Sequence, residues 1–118
     1  MPSVAEVRRG DVVLVLFPNS DLRSAKPRPA LVIQADHLET DLPQVIVAMI
    51  TSRTFRANHP SRVPVELAGA DGQRSGLLAD SVVMTDNLAT IQRAAIGRVI
   101  GSLPMERVDA ALRLTLGL

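Results

Sequence analysis

Hydrophobic residues along this chain gather into short runs, each closed by turn-forming residues, until the C-terminal stretch changes period. Val12 to Phe17 (VVLVLF) follows Gly10-Asp11 and predicts a first strand. Pro18-Asn19-Ser20-Asp21 breaks that run and opens a polar loop ending at Arg28. Ala30 to Gln34 and Val45 to Ile50 predict the second and third strands. Both are continuously apolar rather than alternating, which implies burial on two sides. Val63 to Leu67 alternates around Pro64 and Glu66 and reads as an edge strand, because proline cannot donate to a second neighbour. Gly69-Ala70-Asp71-Gly72 predicts a turn, Gly76 to Met84 a further strand, and Ile91 to Ile100 a last strand, with a helix as the alternative.

The period then lengthens. From Pro104 to Leu116, Met105, Val108, Ala111, Leu112 and Thr115 share one helical face, with Glu106, Arg107, Asp109 and Arg113 elsewhere. Proline at the start and Gly117 at the end fit the two ends of a helix. The expected fold is mainly β with α: one small, curved, mostly antiparallel sheet or barrel with a C-terminal helix. The 118 residues suit a single domain spanning 1–118.

Composition narrows the function. There is no Trp or Tyr, and Phe17 and Phe55 are the only phenylalanines, so RNA-binding modules built on stacked rings do not fit. Cysteine is absent, which removes disulfides, thiolate metal sites and cysteine nucleophiles. No run approaches the roughly 20 apolar residues that span a bilayer, and the N-terminus lacks a signal-peptide core. The cytoplasm is the expected compartment.

A net charge of +1 gives no bulk signal, but its distribution does. No Asp or Glu lies between Asp41 and Glu66, where Arg53, Arg56, His59 and Arg62 fall, so a local basic face is expected to meet an acidic or phosphate-bearing partner.

Two places carry candidate chemistry. In KPRPALVIQ, Pro27 and Pro29 hold Arg28 extended, which suits either a side chain aimed at a definite target or a solvated arginine at a strand mouth. Thr51-Ser52-Arg53 follows the buried run VIVAMI, so a hydroxyl stands where a core strand surfaces, either for chemistry or to satisfy a nearby backbone group. If the two strands pair, guanidinium and hydroxyl can meet. The cluster Asp36, His37, Glu39 and Asp41 (ADHLETD) lacks a second histidine at metal-site spacing, so no metal and no cofactor is expected.

Five segments in order, RRGDVVLVLFP, KPRPALVIQAD, VIVAMITSR, GLLADSVVMTDNLATI and IGRVIGSLP, resemble the MazF/PemK family of toxin ribonucleases, from Gly10 to the C-terminal helix. The resemblance implies a small SH3-like β-barrel of the MazF/CcdB type, assembled as a homodimer. It also implies metal-independent cleavage of single-stranded RNA and an antitoxin whose acidic, disordered tail occupies the RNA groove. It assigns Arg28 and Thr51 as the catalytic pair; Lys26, Ser52, Arg53, Arg56 and Phe17 are the expected RNA contacts. Some members carry catalytic Arg and Asp on the strand matching GLLADSVVM; Ala79 and Asp80 stand there, so that arrangement is not carried over. Two alternatives remain at this stage: a CcdB-like gyrase poison that cleaves nothing, and an SH3-like binding module. The second is disfavoured by the shortage of aromatic walls for a peptide groove.

Overall fold

The computed structural model describes residues 6–18 and 25–118. Six strands form one antiparallel sheet: β1 (Asp11–Pro18), β2 (Ala25–Val32), β3 (Gln44–Thr51), β4 (Arg62–Val65), β5 (Ser81–Gln92) and β6 (Ile96–Ser102), in the order β4-β5-β3-β2-β1-β6. Helix α1 (Ala70–Ser75) follows β4, and helix α2 (Glu106–Leu116) follows β6.

The continuous apolar runs have the consequence expected of them. Successive side chains on a strand point to opposite faces, and here both faces are buried. Val12, Leu31, Ala48 and Ile50 pack on one face with Val63, Val83 and the α2 residues Val108, Ala111 and Leu112. Their chain neighbours Val13, Ala30, Val32 and Val47 pack on the other with Val45, Ile91 and Ile96. Each α2 residue in this core lies on the face read from the sequence. Gly117, at φ 72°, ends the helix in a Schellman motif: Leu118 donates to the Arg113 carbonyl at 2.9 Å.

The sheet is curled but not closed. β4 and β6 are its edges, and no ladder joins them among the described residues. In place of closing strand bonds, α1 lies against β6. A Cβ on Gly101 would stand 2.3 Å from the Arg74 carbonyl oxygen, and one on Gly76 would stand 2.0 Å from that of Ile100. Only glycine permits these backbones to approach so closely.

Several elements differ from the sequence reading, β2 among them, which starts at Ala25 and ends at Val32 rather than running from Ala30 to Gln34. The stretch read as a turn at Gly69 to Gly72 continues as the short helix α1. β5 begins at Ser81 rather than Gly76, because Gly76 adopts φ 72° and reverses the chain first. The last predicted strand is divided: β5 runs on to Gln92, a 3-10 turn takes Arg93–Ala95, and β6 starts at Ile96. β5 keeps its length by bulging, since Met84 pairs with Met49 while Leu88 pairs with Ala48. No helix of the described residues is long and apolar enough to cross a membrane.

Candidate nucleic-acid interface

The β2–β3 ladder ends just short of Arg28 and Thr51. Its partners are Val32 with Val47, Leu31 with Ala48 and Ala30 with Met49. Ile33 donates to the Ile46 carbonyl at 3.1 Å, so odd-numbered β2 residues turn their backbone groups toward β3. Pro29 and Pro27 are odd-numbered and have no N–H to give, so the ladder stops at Ala30. Its register, carried two residues further, would set Arg28 level with Thr51, and both residues line the same cleft. On its other edge β2 stays fully paired, with Arg28 against Val15 of β1. Arg28 thus lies inside a strand rather than at the end of a loop. The prolines open one edge beside it while β1 holds the other.

That opening is one end of a cleft of about 650 Å³. Lys26, Arg28, Thr51, Ser52, Arg53 and Arg98 line it over a floor that includes Leu14, Pro29, Ile50 and Ile100. None of its lining residues is Asp or Glu. The ion pairs of the described residues lie elsewhere, Arg9 with Asp109 at 2.6 Å and Arg62 with Asp86 at 2.8 Å. Among the described residues, four cations therefore share one concavity with no carboxylate in its lining. Such a site draws an anion, and planar guanidinium forks match phosphate oxygens.

Thr51 Oγ1 accepts a hydrogen bond from the Arg53 N–H at 3.2 Å. This turn fixes the hydroxyl and consumes one lone pair, leaving its proton free to donate. The local backbone role and a ligand-facing role are thus compatible.

The remaining candidates separate. Arg56 is not among the cleft residues; its guanidinium lies 5.8 Å from the Phe55 ring centroid. The Phe17 side chain lies outside the described residues. The basic face expected from residues 53–62 is partly neutralised, because Arg62 pairs with Asp86 of the β5 bulge, far away in sequence. His59 Nδ1 lies 2.7 Å from Ser61 Oγ. Asp80 is occupied structurally, accepting from the Leu67 N–H at 2.8 Å, while Ala79 lines the cleft.

The hydrogen bond from Arg62 holds the Asp86 carboxyl below the usual aspartate range. The stabilisation is therefore present above the ordinary aspartate pKa and lost as pH falls through the lower folded value. Asp86→Asn is expected to lower Tm slightly at pH 7, as exposed pairs contribute little. A thermal series should show the gap to wild type shrinking below the ordinary aspartate pKa and closing at lower pH.

A larger cavity, about 790 Å³, lies beside Asp36, His37, Glu39 and Asp41. Its lining also includes Glu6, Arg8 and Arg93, so it lacks the one-sided charge of the cleft. Asp36 accepts from the Arg9 N–H at 2.8 Å, and His37, Glu39 and Asp41 are all left-handed, at φ 59°, 51° and 61°. Among the described residues, no three of His, Cys, Asp and Glu are grouped to hold a metal ion.

Two cleft residues escaped the sequence reading. Arg98 sits in IGRVIG, where its flanking glycines gave the available signal of an irregular strand. Leu78 is 97% exposed on the cleft rim. Nothing in the run GLL distinguishes it from Leu77, which is buried.

Comparison with known proteins identifies the family. The PemK-like, MazF-like toxin family of type II toxin–antitoxin systems matches residues 8–116. Endoribonuclease EndoA of Bacillus subtilis (strain 168) is 34% identical over 116 residues, covering 95% of this chain and 96% of the relative. Among solved structures, the Mycobacterium tuberculosis toxin MazF-mt6 superposes with a TM-score of 0.69 at 27% identity, over 92% of this chain and 97% of that one. A mycobacterial endoribonuclease in complex with its cognate antitoxin reaches 0.74 at 21% identity, over 95% and 96%, and shares the fold. The chain belongs to the PemK-like, MazF-like family of toxins of type II toxin–antitoxin systems.

Proposed function

We propose that the protein is an endoribonuclease that cuts single-stranded RNA without a metal, with Arg28 and Thr51 as its catalytic pair. The observation that supports this most is the cleft that Arg28 and Thr51 both line, with no Asp or Glu among its lining residues. RNA brings its own nucleophile: the 2′-hydroxyl attacks the adjacent phosphorus, the P–O5′ bond breaks, and a 2′,3′-cyclic phosphate and a free 5′-hydroxyl result. The protein must hold the phosphate and stabilise the charge that grows on its oxygens. Arg28 stays protonated and offers paired donors to those oxygens. Thr51 donates its free proton to the same group. Ser52, Arg53 and Lys26 hold flanking phosphates.

The same charges give the protein its second partner. An antitoxin with an acidic, disordered tail can occupy the cleft in place of RNA, each carboxylate taking a phosphate position. One domain of this size offers a shallow groove, and a symmetric homodimer doubles it. Cytoplasmic RNA is the substrate of this reading. A gyrase poison or a peptide-binding module has no use for a hydroxyl sharing a cleft with an arginine.

The purified protein is to be incubated with total RNA and the new 5′ ends sequenced, with its mass followed by sedimentation at micromolar concentration. Cuts at one recurring unpaired motif, made by a dimer, are expected. Intact RNA removes the nuclease reading, and an active monomer removes the dimer.

A further inference from the structure

We infer that Arg98 builds a second phosphate subsite in the cleft, which binds a nucleotide beside the scissile one and sets affinity rather than chemistry. This rests on the ribonuclease reading above. Its basis is a β-bulge. Val15 of β1 pairs with Ile96 and Leu14 pairs with Arg98, so Gly97 is an extra, unpaired residue. In a regular strand Arg98 would share the face of Ile96, which packs in the core with Val13 and Val15. The inserted glycine moves Arg98 to the face of Leu14, and both line the cleft.

Arg98 is exposed, and among the described residues it has no ion-pair partner. Leu14 pairs with Arg98 on one side and Pro29 on the other, so the three form a row across the cleft floor. With strands spaced about 4.8 Å apart, the Arg98 backbone stands about 10 Å from that of Pro29. Arg28 neighbours Pro29 on the far wall. Arg28 pairs with Val15, so its side chain leaves β2 on the face opposite Leu14 and Arg98. The two cleft-lining arginines, on strands separated by β1, fit two phosphates of one strand better than two forks on a single phosphate.

The test uses an RNA 12-mer centred on a cleavage site mapped for this protein, with one deoxynucleotide 5′ to the scissile phosphate so that it binds uncut. Affinity is followed across a potassium chloride series for wild type, Arg98→Ala and Arg113→Ala, the last removing an exposed charge of α2 outside the cleft. One lost phosphate contact should make the slope of log K against log salt shallower by about 0.7 for Arg98→Ala. Arg113→Ala should retain the wild-type slope. On the all-ribose 12-mer, Arg98→Ala should raise KM about tenfold with kcat nearly unchanged, and Arg98→Lys should recover part of the loss. A wild-type slope and KM in Arg98→Ala, or a loss confined to kcat, overturns the subsite while leaving the nuclease reading intact. If wild type cuts no RNA, or Arg28→Ala cuts as well as wild type, the nuclease reading itself fails and the subsite falls with it.

Discussion

Replacing Arg28 with alanine is expected to slow RNA cleavage by about 10²–10³-fold, the usual loss when one donor to a developing oxyanion is removed. The fold should survive, because Arg28 is exposed and its backbone, the part that pairs with Val15, is unchanged. Circular dichroism and thermal melting check that half, and single-turnover cleavage checks the other. Single-turnover rates separate chemistry from binding, so the loss should persist at saturating protein. The double variant Thr51→Ala, Ser52→Ala is expected to fall in the same direction. It also removes the hydroxyl that receives the Arg53 N–H, so its loss mixes chemistry with loop geometry. A folded Arg28→Ala protein that cuts at the wild-type rate would contradict the assignment.

The largest effect on stability is expected at Gly76. Alanine there meets two penalties at once: φ 72° is unfavourable for a side chain, and the new Cβ would stand 2.0 Å from the Ile100 carbonyl oxygen. Neither atom is the end of a flexible side chain, so relief requires α1 and β6 to separate. The left-handed backbone alone costs on the order of 1–3 kcal/mol, and the clash raises the total to about 3–5 kcal/mol. Domains of this kind are stable by about 5–15 kcal/mol, so Gly76→Ala should melt far lower or fail to accumulate folded. Chemical denaturation measures it. The contact also holds the cleft, since Gly76 and Ile100 both line it. A variant with wild-type stability would mean that α1 does not brace the sheet against β6.

The sequence carried the strands and the C-terminal helix because their periods differ. Continuous runs such as VIVAMI announced two-sided burial, and they lie between two buried faces. Local pattern left open whether the strands form a sheet or a barrel. Whether β4 and β6 pair depends on how far six strands curl, and α1, hidden in a segment with turn composition, occupies that gap. Arg28 and Thr51 were legible individually. Their place in one cleft was not, because it depends on the register of β2 against β3 and on which edge the prolines face. Arg98 was invisible for a related reason: a single unpaired glycine decides its face. Arg62 looked free because its carboxylate partner, Asp86, comes from a bulge in β5.

The most direct test of the mechanism is cleavage of a mapped RNA site against the same oligonucleotide carrying one deoxynucleotide 5′ to the scissile phosphate, each with and without EDTA. If the substrate supplies the nucleophile, the all-ribose strand is cut equally with and without EDTA. It should leave a 2′,3′-cyclic phosphate and a 5′-hydroxyl, and the deoxy-substituted strand should stay intact. Cutting of the deoxy-substituted strand, or loss of all cleavage in EDTA, would contradict this and point to water activated by a bound metal.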